Sequence, residues 1–206
     1  MKRKIKISLY LYIACLLMLQ VSTASAQNVQ LKYKIMLNGC EMGSMSLQRS
    51  GSQSNIQLSL ESKAKKRFIV SFEIYEKHTE VFQNNIMTTA SVFRQVNGKT
   101  KINKQISCEG SNCKIASEGK TNTIALKPVS WSILNLYFAE PEKINEVFLD
   151  SFQQMLKIED MGNHSYKILL PDGNSNYFYY KNGICTKEII NHSFYKVELI
   201  LKENCK

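Results

Sequence analysis

Three Asn-Gly pairs, Asn38-Gly39, Asn97-Gly98 and Asn182-Gly183, each separate two runs in which apolar and polar residues alternate. Asn and Gly tolerate the positive φ that a tight two-residue hairpin turn demands at both central positions. A period of two buries one face of an extended chain. The two signals together predict antiparallel hairpins. Tyr33, Ile35 and Leu37 alternate with Lys32, Lys34 and Met36 before the first pair, and Met42 to Leu47 returns after it. Within that return Gly43 is small enough for a bulge or a close backbone approach. Ile56, Leu58 and Leu60 form a third strand beyond Ser50-Gly51-Ser52, and Phe68 to Tyr75, His78 to Phe82 and Met87 to Val96 read as β. The grammar returns at Tyr166 to Leu170, Tyr177 to Lys181, Ile184 to Ile190 and Tyr195 to Leu201. Before Tyr177, Pro171-Asp172-Gly173-Asn174 makes a turn in which Pro presets φ.

Only the middle departs from this rhythm. Trp131, Leu134 and Phe138 fall at i, i+3 and i+7 behind Ser130, which predicts a helix with a Ser130 cap that ends at Glu140-Pro141-Glu142. A further helical turn is expected near Glu142 to Val147. About ten strands and one short helix give a mostly β fold, an antiparallel meander forming a closed or half-open β-barrel. Closure is favoured because so long a sheet otherwise leaves exposed edges.

The first 26 residues predict export. Lys2, Arg3, Lys4 and Lys6 precede an apolar run from Ile7 to Val21, and Ala24-Ser25-Ala26 supplies the small residues of a cleavage site. Cleavage before Gln27 leaves residues 27–206 as a single domain. The apolar run is too short for a membrane span of roughly 20 residues, and no later segment approaches that length. Cys15 is not read as a lipidation site, because the apolar run continues past it through Leu19. The formal charge of +10 overstates the working protein: four of the 27 Lys and Arg residues lie in the leader, leaving 23 against 17 acids. Those cations are scattered, apart from Lys65-Lys66-Arg67, and no aromatic-basic recognition motif accompanies them, so no nucleic-acid partner is expected.

Past the leader there are five cysteines, Cys40, Cys108, Cys113, Cys185 and Cys205, an odd number that leaves at least one unpaired within the chain. Cys108 and Cys113 bracket Glu109-Gly110-Ser111-Asn112, so they face each other across a hairpin at about 5.5 Å, within disulfide range. Half of a metal site is the alternative, but no second Cys/His pair of suitable spacing accompanies it. Neither His78, His164 nor His192 has a metal-ligand spacing, Gly43-Ser44-Met45-Ser46 is not a nucleophile elbow, and no glycine-rich phosphate loop occurs. No catalytic, cofactor-binding or metal-ligating residue can be named. Asn163-His164-Ser165 and Asn191-His192-Ser193 match the N-glycosylation triplet, which matters only in a host with that machinery.

The constellation with a functional flavour is aromatic. Tyr177, Phe178, Tyr179 and Tyr180 run consecutively, sending two rings to each side of a strand. An inward pair such as Tyr177 and Tyr179, with Trp131, Leu134 and Phe138 of the helix, would line an apolar pocket. Core packing, or a helix plugging a barrel end, accounts for the same residues.

Several blocks resemble a family. Tyr33 through Gly43 (YKIMLNGCEMG), Phe72 to Glu76 (FEIYE), Ser132 to Pro141 (SILNLYFAEP), Leu170 to Asn174 (LPDGN) and Tyr179 to Cys185 (YYKNGIC) are similar to exported β-rich proteins of unknown function common in Bacteroidetes, the type called domain of unknown function 6134. The resemblance implies a β-barrel-like domain in the periplasm or at the cell surface. It transfers no catalytic residue. Three functions stay open: a binding or carrier module for a lipid or amphipathic small molecule, a structural or interaction domain with an envelope protein partner, and an envelope enzyme.

Overall fold

A computed structural model describes residues 28–52, 54–67, 71–193 and 195–202. The expected leader, residues 1–26 with Cys15, and Cys205 lie outside the described residues.

Thirteen strands form one antiparallel sheet. Its first eight strands run in chain order: β1 (Val29–Leu37), β2 (Cys40–Gly51), β3 (Asn55–Arg67), β4 (Ser71–Gln83), β5 (Ile86–Val96), β6 (Lys99–Glu109), β7 (Asn112–Ser117) and β8 (Lys120–Ala125). The other five are β11 (Glu159–Gly162), β12 (Ser165–Leu169), β13 (Ser175–Lys181), β14 (Ile184–Asn191) and β15 (Lys196–Leu201). β15 returns to lie beside β1, with Tyr33 opposite Leu201 and Leu37 opposite Val197, so the first and last strands join two meanders.

The turns follow from local chemistry. Asn38 and Gly39 adopt φ of 50° and 78°, and the other two Asn-Gly pairs do the same. Asn84-Asn85, Glu118-Gly119 and Asn163-His164 also take positive φ at both positions. Bulges interrupt the pairing at Ile35/Met36, Val81/Phe82, Arg94/Gln95 and Tyr179/Tyr180, each adding local bend and twist. Gly43 is the close approach its size suggested: a Cβ there would meet the Lys63 carbonyl oxygen at 1.9 Å.

The expected disulfide is present. Cys108 and Cys113 are bonded with Cα atoms 4.1 Å apart. Glu109 and Asn112 close the hairpin, so the cysteines take the next pair, which is the narrow, non-hydrogen-bonded one rather than the wide one expected.

The sheet does not close. Its edges are β8 and β11, and the 33 residues between them (126–158) fold onto the inner face. This insertion carries α1 (Asn135–Phe138) and a separate hairpin of β9 (Glu146–Leu149) and β10 (Gln154–Lys157). The predicted helix is therefore one turn long and starts later than expected. Ser132 forms a parallel bridge with Phe148, and the Trp131 carbonyl accepts the Phe148 N–H at 2.8 Å, which keeps Ser130 to Ser132 extended. Asn135 Oδ1 accepts the Ser132 N–H at 2.9 Å and shapes the entry to the turn, a role Ser130 does not take. The second expected helical turn shrinks to a single hydrogen-bonded turn from Pro141 to Ile144, which leads into β9, whose Val147 and Phe148 are buried.

The core is one cluster. Tyr33, Leu47, Leu58, Phe82, Ile168 and Phe178 come from the inner face of the sheet, and Leu134, Leu136, Val147 and Phe148 from the insertion. Tyr137 stands edge-on to Tyr33 at 5.5 Å and to Phe178 at 6.1 Å between ring centroids.

Candidate functional site

The inner face carries polar residues at positions whose parity belongs to the core, and these groups fasten the insertion to the sheet. On β4, His78 and Glu80 precede Phe82 in the inward series, and both are buried. The Ser132 hydroxyl, itself fully buried, donates to Glu80 Oε2, and it lies 3.0 Å from Asn135 Oδ1. Burial raises the Glu80 carboxyl above its ordinary range, against the attraction of His78 and the Ser132 hydrogen bond. His78 Nε2 lies 3.3 Å from Glu80 Oε1 but out of hydrogen-bonding line. Serine, histidine and carboxylate thus meet, yet in the wrong order for nucleophilic chemistry. The imidazole faces the carboxylate rather than the hydroxyl, and no solvent reaches Ser132. The cluster is a clasp.

A second clasp centres on Glu188 of β14. Tyr137 donates its phenolic hydrogen to Glu188 Oε2, and Asn176 Nδ2 donates to Oε1 at 3.0 Å. Burial pushes the Glu188 carboxyl up to about 7, against these two hydrogen bonds. Nearby, Tyr180 donates to the Leu136 carbonyl at 2.8 Å and Tyr33 to the Cys185 carbonyl at 2.6 Å. The Cys185 thiol is raised well above its ordinary range, first by burial and then by Glu188, so it is an inert core group. Lys104 of β6 completes the fastening by donating to the Asp150 carbonyl at 2.9 Å.

Where the insertion meets one end of the sheet a cleft of about 320 Å³ remains. The sheet contributes Arg49 from the end of β2, Ile56 from the start of β3, Phe82 from the end of β4, and Asn85 from the following turn. The insertion contributes Ser130, Trp131, Asn135, Ala139 and Ile144. The space lies within the 300–1,000 Å³ range of small-molecule sites. It is a rim cleft rather than the lumen of a barrel.

Of the five residues expected to line a pocket, Trp131 does so. Leu134 and Phe138 are buried in the core, where the insertion packs on the sheet. Tyr177 and Tyr179 point the other way from expectation: Phe178 and Tyr180 are the inward rings, while Tyr179 is exposed and Tyr177 lies within 6.0 Å of the Lys167 ammonium on the outer face. Lys181, two residues beyond Tyr179 and of the same parity, carried that information. A lysine at a strand end faces water, and Tyr177 and Tyr179 go with it. Arg49, Ile56 and Phe82 were missed as cleft residues because they meet Trp131 only through the insertion.

Among the described residues no three His, Cys, Asp or Glu side chains come together to hold a metal ion, and no helix is long and apolar enough to cross a membrane. No curated protein matches the chain. The fold is similar to the crystal structure of a beta-barrel-like protein of domain of unknown function DUF1849 from Brucella abortus. The TM-score is 0.57 at 11% identity, over 86% of this chain and 96% of that one. A family model, Domain of unknown function (DUF6134), matches residues 33–202, which takes in both meanders, both clasps and the cleft. The chain belongs to the DUF6134 family.

Proposed function

We propose that this protein is a non-catalytic binding or carrier module of the cell envelope, exported by its N-terminal leader, which takes an apolar or amphipathic small molecule into the rim cleft. The observation that carries this reading is the cleft itself, with Trp131, Phe82, Ile56 and Ile144 around a space of about 320 Å³. Burial of the ligand's apolar surface there is the favourable contribution to binding. The clasps favour binding over catalysis, because the groups with chemical potential, Ser132, Glu80, Glu188 and Cys185, are sealed beneath the insertion. A docking surface finds less support. Of the exposed large apolar residues, Met161 lies on β11 next to the turn into β12, and Leu169 at the far end of β12.

The test is incubation of the purified protein with a lipid extract, followed by native mass spectrometry. Retention of a small molecule by the wild type, with loss on Trp131→Ala, is expected. A protein that emerges with nothing bound overturns the reading.

A further inference from the structure

We propose that the ligand of the rim cleft is a single-chain amphiphile with a carboxylate head, and that Arg49 selects it. This rests on the reading of the cleft as a binding site. Met45 and Leu47, four and two residues before Arg49 on β2, are core residues, so strand parity places Arg49 on the inner face. Its cross-strand neighbours are Val29 on β1 and Leu58 on β3, both apolar. Arg49 is only partly buried there, so an anion entering the cleft can reach its guanidinium.

The protein supplies one to the other inward arginine. Arg94 on β5 faces Glu76 on β4 and pairs with it at 2.9 Å. The buried inward Glu80, Glu188 and Lys104 are each bonded to a protein partner as well. Arg49 has no carboxylate within 4 Å among the described residues, and no acid lines the cleft beside it. In the same cleft Asn135 has its amide oxygen engaged by Ser132, while its Nδ2 has no partner among the described residues. Arg49 is the charged group of the cleft lining and it is a donor.

A planar guanidinium and a carboxylate match in two-pronged geometry. The apolar lining accepts a hydrocarbon tail, and a volume near the lower end of the small-molecule range suits one chain with a compact head.

Trp131 is the chain's single tryptophan, so its fluorescence reports the cleft directly. Decanoate, decanol and decyltrimethylammonium are titrated into the wild type and into Arg49→Gln. Decanoate is expected to shift the emission and to bind roughly tenfold more tightly than decanol, since a charge-assisted hydrogen bond contributes at least that factor. Arg49→Gln should erase the preference of decanoate over decanol. Equal binding of decanoate and decanol to the wild type, or tightest binding of the ammonium, overturns the carboxylate assignment and leaves the cleft as a site. No response to any of the three overturns the cleft reading as well. The wild-type comparison stands even where the variant folds poorly.

Discussion

Replacing Glu188 by Gln should stabilise the protein at pH 8 far more than at pH 4, and the structure sets the size of that difference. Glu188 is 1% exposed, and its carboxyl is held at about 7 in the folded protein against 4.5 ordinarily. A folded-state pKa above the unfolded one means that the native state holds the proton more tightly. The carboxyl therefore supports folding fully below 4.5, and this support is lost as pH rises through about 7. The displacement amounts to about 3 kcal/mol at 1.36 kcal/mol per pH unit. Glu80 is displaced in the same direction, so it too supports folding in acid and gives up that support as pH rises. Glu188→Gln cannot ionise. Its carboxamide can accept from Tyr137 and, with the Asn176 amide turned over, donate to Asn176 Oδ1. Urea denaturation followed by circular dichroism, on both proteins at both pH values, isolates Glu188, because every other titrating group cancels in the difference. The variant's advantage should grow by about 3 kcal/mol from pH 4 to pH 8. An advantage that does not change with pH would refute the argument that burial, rather than the two hydrogen bonds, governs this carboxyl.

Reduction of Cys108–Cys113 should cost about 2 kcal/mol and leave the fold intact, because the closed loop is short and the hairpin is also held by β5 and β8; melting with and without reductant measures it. Gly43→Ala should destabilise by about 3 kcal/mol or more, since the new Cβ meets the Lys63 carbonyl rather than a yielding side chain. Gly39→Ala meets nothing within 4 Å and should cost only the strain of its φ of 78°, about 1 kcal/mol; equal losses in a chemical denaturation series would contradict the distinction. Ser132→Ala should cost about 1–3 kcal/mol by stripping buried Glu80 of its donor. That loss should be smaller in acid, where Glu80 carries its own proton, and a stability unchanged at every pH would show that the clasp contributes nothing.

The strands were legible where side chains alternate, and the turns where Asn precedes Gly. Asn84-Asn85, Glu118-Gly119 and Asn163-His164 make the same kind of turn with weaker letters, and the strand after Glu118-Gly119 and the one before Asn163-His164 were not foreseen. Glu118 in particular enters positive φ because pairing on both sides closes the hairpin around it. The helical spacing of Trp131, Leu134 and Phe138 was real as an apolar pattern and misleading as to structure. A bridge to Phe148, 16 residues on from Ser132, holds the first part extended. The clasps span 52 residues between Glu80 and Ser132 and 51 between Tyr137 and Glu188, so no local pattern joins their halves. One signal was nonetheless present. Arg49, Glu80 and Lys104 each sit at the parity of their strand's buried residues, and a charge on the core side of an alternating strand marks either an internal partner or a site.

The open edges explain why those charges are there. A sheet bounded by β8 and β11 cannot fix its own curvature by closing, so something must hold the insertion in place against the inner face. Apolar packing alone would bury the same area with many near-equivalent placements. A hydroxyl on Glu80, a phenol on Glu188 and an ammonium on the Asp150 carbonyl accept one placement, at the cost of desolvating each group. The clasp at Ser132 is one residue from Trp131, and the Phe148 N–H holds the Trp131 carbonyl at 2.8 Å. The group that fixes the insertion therefore also fixes one wall of the cleft. Arg49 stands on the opposite wall, in the strand system rather than the insertion. Loosening the Glu80 clasp should then weaken ligand binding at Trp131 and Arg49 without touching either residue. Ser132→Ala provides that test in the same fluorescence titration: an unchanged decanoate affinity in a destabilised protein would separate the clasp from the cleft.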